Sequence, residues 1–188
     1  MTEFTTHTIE TAPEASKPTL EAAQKKFGFV PNLFAKLAES PVAAEAYLTM
    51  AGLNAKSSFT PAEQQVVLLT SNFENECHYC MAAHTGAAKM AKLPEDAIEA
   101  LRSGAPIPDA RLEALRSFAR KVVAQRGWVE AADVDAFLAA GFTKAQVLEV
   151  VVGVAFKVIS NYTNHIVDTP LDDKFAPFKW EKPADQAA

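Results

Sequence analysis

The most regular apolar pattern in the chain runs through residues 109–126. Leu112, Leu115, Phe118, Ala119, Val122 and Val123 recur at helical spacing, while Arg111, Arg116, Arg120 and Lys121 fall off that stripe. This predicts an amphipathic helix capped by Asp109 and stopped by Gly127. Its basic residues read as a solvated face. The same punctuation recurs elsewhere. Ser40-Pro41 pairs an N-cap with a proline at the first helical position and starts a helix to about residue 55. Thr60-Pro61-Ala62-Glu63 adds a capping box and opens a helix to about 75, and Thr143 with Gln146 opens another to about 167. Shorter helices are expected over 19–27, 32–38, 77–91, 95–103 and 131–140. Residues 147–159 are apolar nearly all round, as in a central core helix or one shared with a partner subunit. That stretch is short for a membrane span and carries Glu149 and Lys157. No stretch alternates with period two, and no repeat recurs at fixed spacing. The pattern predicts an all-α, single-domain bundle of about seven or eight helices. Residues 1–18 lack periodicity and read as a flexible arm or an extended strap. The body spans 19–175. Residues 176–188 form a C-terminal tail, and Phe175, Phe178 and Trp180 are expected to dock on the body before it fades into PADQAA.

Composition agrees with this picture. The 188 residues suit one domain, and alanine (35) far outnumbers glycine (7), which favours helix. Acidic residues outnumber basic ones 23 to 18, against a general nucleic-acid binder. The first residues show no basic segment followed by an apolar one, so the cytoplasm is the expected compartment. Neither a nucleic-acid nor a membrane partner is expected. Two cysteines cannot build the disulfide framework of a small secreted domain.

Those two cysteines carry the chemistry. Glu74, Cys77, Cys80 and His84 fall within eleven residues, and on one continuous helix they would share roughly a third of the circumference at about 100° per residue. Tyr79 and His78 would point away from that face. Two thiols at this spacing can close a disulfide with little backbone movement. A cysteine in a first helical turn has a lowered pKa. His84, one turn on, can exchange a proton with the thiolate or a leaving group, and Glu74 can orient it or relay protons through water. Peroxide would oxidise one thiol to a sulfenic acid, which the other would condense to a disulfide.

The pattern Glu-x-x-Cys-x-x-Cys-x-x-x-His resembles that of the carboxymuconolactone decarboxylase superfamily, in particular its alkyl hydroperoxidase D-like members. The Thr60-Pro61-x-Glu63 helix start, the apolar Val66–Leu69 run and the stretch SNYTNHIVDTPLD at 160–172 extend the likeness, the last toward a peroxidase-related subgroup. The resemblance implies an all-α fold, a homo-oligomer and reduction of organic hydroperoxides. Carried over, it makes Cys80 the peroxidatic thiol, Cys77 the resolving one and His84 the proton shuttle. Tyr79 occupies the place where members carry histidine or tyrosine. A dithiol of thioredoxin or lipoyl type would regenerate the pair, and no cofactor or metal is expected.

Two positions depart from the family. The relay glutamate twelve residues before the first cysteine is Gln65, which cannot take a proton, so Glu74 or Glu63 would have to substitute. The residue before the first cysteine, often glycine, is Glu76, whose carboxylate would raise the pKa of Cys77. Other readings stand beside this one. The thiols could be inert core residues, or Cys77, Cys80 and His84 could bind zinc with His78 or His165 as fourth ligand. Covalent haem needs Cys-x-x-Cys-His, and Met81 follows Cys80. A lactone decarboxylase, or a non-enzymatic redox switch or adaptor, are the functional rivals. His165 is a candidate by its context alone, and Phe27, Phe29 and Phe34, like Phe118, Phe137, Phe142 and Phe156, read as core.

Overall fold

The computed structural model describes residues 3–183, so the last five residues of the expected tail lie outside the described residues. Among the described residues nine α-helices follow one another: α1 (Lys17–Phe27), α2 (Asn32–Leu37), α3 (Pro41–Asn54), α4 (Pro61–Glu74), α5 (His78–Met90), α6 (Glu95–Ser103), α7 (Ala110–Ala124), α8 (Ala131–Ala139) and α9 (Lys144–Val167). Among the described residues there is no strand. The caps act as their residue types dictate. The side chains of Ser40, Thr60, Asp109 and Thr143 each accept a backbone N–H of the turn they open, and Thr60/Glu63 and Thr143/Gln146 close reciprocal boxes.

The 24-residue α9 exceeds its apolar middle, and by length and composition alone it is long and apolar enough to cross a membrane. In the bundle it packs against α2, α3, α4 and α7. With α4 it divides the interior in two. One sector is built on α4, α6, α7 and α8 around the stacked rings of Phe118, Phe137 and Phe142. The other gathers α1, α2 and α3 around Phe34, Tyr47 and Phe156, and it contains both cysteines. Phe156 therefore belongs to a different cluster from the three rings with which the sequence grouped it.

Both chain ends are tied down. Residues 3–16 lie on the body as a strap rather than a free arm: His7 N–H donates to Ala35 O, Ser16 Oγ donates to Ala38 O at 2.7 Å, and Ala12 and Ser16 are buried. After α9 the chain returns across α5 and α6. Trp180 is buried and its Nε1–H donates to Arg102 O at 2.7 Å, while Phe175 packs edge-on to Tyr79 and Phe29.

Candidate active site

The site forms where α4 gives way to α5. The helix is not continuous there. Asn75 ends α4, Glu76 takes a left-handed backbone (φ 55°), and Cys77 is the extended N-cap of α5. This break corrects the expected position of Glu74. Its carboxylate ends on α4 and pairs with Arg120 of α7 at 3.0 Å, away from the thiols. Glu63 is no substitute either, because it closes its capping box and pairs with Arg111. The carboxylate of Glu76 turns outward to Lys182 at 2.7 Å, so it does not act on Cys77 as the sequence suggested. The left-handed turn also gives a physical reason for glycine at this place in related chains.

Cys77 and Cys80 remain on one side of α5. Both are free thiols, about 1% exposed. Cys80 sits in the first turn, where the unpaired N–H groups and the helix dipole favour a thiolate. Facing them is one stripe of α9. Asn164 Nδ2 donates to Cys80 Sγ at 3.1 Å and reaches Cys77 Sγ at 3.6 Å. Ser160 and Asn161, one turn before Asn164 on the same buried stripe, donate to Lys157 O and Asn72 Oδ1 and lie near enough to favour the Cys80 anion. Burial pushes the Cys80 thiol up, but the hydrogen bond from Cys77, the charge of Lys157 and these polar neighbours outweigh it and hold the thiol below its ordinary value. Cys77 moves the opposite way, raised by its bond to Cys80, by burial and by the Cys80 charge. The two shifts run in opposite directions and favour the anion on Cys80.

His84 lies one turn further along α5. Its Nδ1–H donates to Gln65 Oε1 at 2.9 Å, and its Nε2 accepts from Lys157 Nζ at 3.0 Å. Burial, then the Lys157 charge, hold its pKa well below the usual value, so the ring is neutral. Both ring nitrogens are engaged by neighbours other than the sulfurs, and the ring's link to the thiols runs by way of Lys157. Tyr79 points away from the thiol face, as its spacing indicates. Its hydroxyl donates to Asp172 Oδ2 and accepts from Leu33 N–H at 3.3 Å. Burial raises the Tyr79 pKa, and the Asp172 carboxylate raises it further. Asp172 in turn caps the first amide of α2 at 3.1 Å. His78 and His165 are solvent-exposed, and His78 Nδ1 meets Trp180 O at 3.0 Å.

A cavity of about 360 Å³ opens onto this arrangement. Cys80, His84 and Lys157 line it and Cys77 does not. Its walls are mostly apolar, with Phe27, Phe34, Tyr47 and Phe156 among them, so Phe27 and Phe34 do more than fill core. Lys157, Ser160, Asn161 and Asn164 were not singled out as site residues from sequence. The signal was present: four polar residues at i, i+3, i+4 and i+7 make a buried stripe on an otherwise apolar helix.

Comparison with known proteins gives one family match over part of the chain and several matches of fold. The Carboxymuconolactone decarboxylase family profile matches residues 41–121, from the start of α3 into α7, and so includes the cysteine segment. No curated protein sequence matches the chain. Among solved structures, the alkylhydroperoxidase AhpD core, a peroxidase-related protein from Ralstonia eutropha JMP134, superposes with a TM-score of 0.82 at 27% identity, covering 92% of this chain and 93% of that one. A peroxidase-related protein from Silicibacter sp. TM1040 shares the fold at 21% identity and a TM-score of 0.77, over 93% of this chain and 95% of that one. So does the debrominase Bmp8, at 15% identity and a TM-score of 0.78, over 95% and 96%.

Proposed function

We propose that this chain, whose residues 41–121 match the Carboxymuconolactone decarboxylase family, is a thiol peroxidase that reduces an organic hydroperoxide and stores the oxidising equivalents as a Cys77–Cys80 disulfide. One observation carries this reading: of two adjacent buried thiols, the one in the first turn of α5, whose pKa is lowered, is also the one that lines the cavity. Cys80 attacks the terminal peroxide oxygen and becomes a sulfenic acid. Cys77, behind it and still protonated, attacks that sulfur and releases water. Asn164 keeps both sulfurs in register through the two steps. The likeness to a peroxidase-related protein at 27% identity supports the same chemistry.

The disulfide would form below the surface, at the floor of a cavity. A slender dithiol of lipoyl type therefore suits the reducing step better than a docked thioredoxin surface. The buried thiols also weigh against a redox adaptor, which must present its sulfur to a partner. We read the protein as a homo-oligomer as well, because α9 leaves Leu148, Val151, Tyr162 and Ile166 exposed along one face.

The test is a count of free thiols by mass after one equivalent of cumene hydroperoxide. Wild type is expected to lose two thiols without dimerising, Cys77→Ser to hold a trappable sulfenic acid, and Cys80→Ser to stay unreacted. Full dithiol-dependent peroxide consumption by the Cys77→Ser/Cys80→Ser variant would overturn the reading.

A further inference from the structure

We propose that Lys157 is the counter-ion of Cys80 and the proton carrier of its reaction cycle, a role that rests on the peroxidase reading above. Lys157 sits mid-way along α9 with none of its surface exposed. A buried ammonium is costly without an anion beside it. Among the described residues no carboxylate pairs with it, since Glu63, Glu74 and Glu113 hold Arg111, Arg120 and Arg116. The groups facing it are few. The α5 segment contributes Cys77, Cys80 and His84, α3 contributes Tyr47, and α4 contributes only the uncharged amide of Gln65. On the remaining elements packed against α9, Lys36 of α2 holds Phe4 O, Arg116 of α7 holds Glu113 and Asp133 of α8 holds Lys121, while Asp135 of α8 is solvent-exposed. His84 is neutral and accepts a hydrogen bond from the ammonium. The anion left to balance Lys157 is the Cys80 thiolate.

The cycle then closes without a carboxylate relay. The Cys80 thiolate attacks the terminal oxygen of ROOH, the O–O bond breaks, and the alkoxide takes a proton from the Lys157 ammonium. This leaves Cys80–SOH, ROH and a neutral amine. That amine takes the Cys77 proton as the S–S bond forms and passes it to the departing hydroxide, giving water. When an external dithiol reduces the disulfide, the thiol proton of Cys80 returns to Lys157 and restores the ion pair. His84, anchored by Gln65, is the positioning residue that aims the amine.

The test is a thiolate absorbance titration of the reduced protein, paired with the rate of thiol loss to cumene hydroperoxide. Wild type is expected to show a thiolate near neutral pH that Cys80→Ser removes. Lys157→Met should move that titration up by about one pH unit or more and slow thiol loss about tenfold or more. Lys157→Arg keeps the charge but not a transferable proton, so it should restore the thiolate and leave the rate low. A Lys157→Met protein that keeps the wild-type titration overturns the counter-ion, and a Lys157→Arg protein at full rate overturns the proton carrier. Unfolding midpoints give an independent readout. Cys80→Ser should lower the midpoint by stranding the ammonium, and adding Lys157→Met should raise it again; additive losses would count against the pair. A wild type that titrates a Lys157-dependent thiolate yet ignores the hydroperoxide would sink the peroxidase reading and leave the ion pair standing.

Discussion

Asn164 touches both sulfurs through a single Nδ2, so it tunes the thiols and sets their spacing at once. Asn164→Asp replaces a donor with a carboxylate beside Cys80. That change should raise the Cys80 pKa by about one unit or more, visible as an upward shift of the thiolate absorbance titration. Gln65→Glu is informative in the opposite direction. An anionic partner on Nδ1 should raise the His84 pKa, which NMR titration of the ring would report. An unmoved ring resonance would contradict the hydrogen bond to Gln65. Cys77, Cys80 and His84 were legible in the sequence because their geometry is local to one helix. Lys157 and Asn164 stand 73 and 84 positions from their partners on α5, a pairing that only the packing of α9 creates. Glu74 was misplaced for a related reason, since the one-residue break at Glu76 turns the α4 side chains out of phase with α5.

At the scale of elements, the turn between α4 and α5 and the crossing of α4 with α9 position the site. Glu76 holds φ 55°, which costs a side chain about 1 kcal/mol or more relative to glycine. Glu76→Gly gives up an exposed ion pair of small worth and should stabilise the protein by up to about 1 kcal/mol in chemical denaturation. The crossing depends on Gly153, where an added Cβ would meet Val67 Cγ1 at 2.8 Å. Val67 is buried and β-branched, with little freedom to move. Gly153→Ala should therefore cost about 1–2 kcal/mol, despite alanine's better helix propensity. A gain in stability would show that the helices can part there without strain. Helix positions were readable in advance because caps and apolar spacing are written locally. Gly153 carries no such mark, since its reason is a neighbour on another helix.

For the molecule as a whole, the buried titrations give stability a direction in pH. Cys80 and His84 have folded pKa values below their ordinary 9.0 and 6.5, so between the lowered and the ordinary values the unfolded chain binds more protons. Stability of the reduced protein should rise with pH up to about 9. Above that the raised Cys77 reverses the trend, because the folded state then holds the extra proton. Denaturant midpoints across pH should show the slope in wild type and a shallower one in Cys80→Ser. The proposed homo-oligomer is tested at the same scale. If α9 forms its interface, replacing the exposed Leu148 and Tyr162 with glutamate should shift sedimentation toward the monomer while leaving helix content unchanged, and a wild type that already sediments as a monomer would overturn the oligomer. The all-α class, the single body and the docking of the C-terminal aromatics could be inferred from composition, periodicity and residue type. The polar contacts that close the segment from Asp172 to Trp180 onto the body, such as Asp172 with Asn32 and Tyr79, could not, because they join residues far apart in the chain. Such separation also orders events during synthesis. Both cysteines and His84 leave the ribosome well before Lys157 and Asn164, the residues that face them from α9. A nascent chain therefore carries two ordinary, unprimed thiols, and the peroxide reactivity proposed above would switch on only when translation has delivered α9.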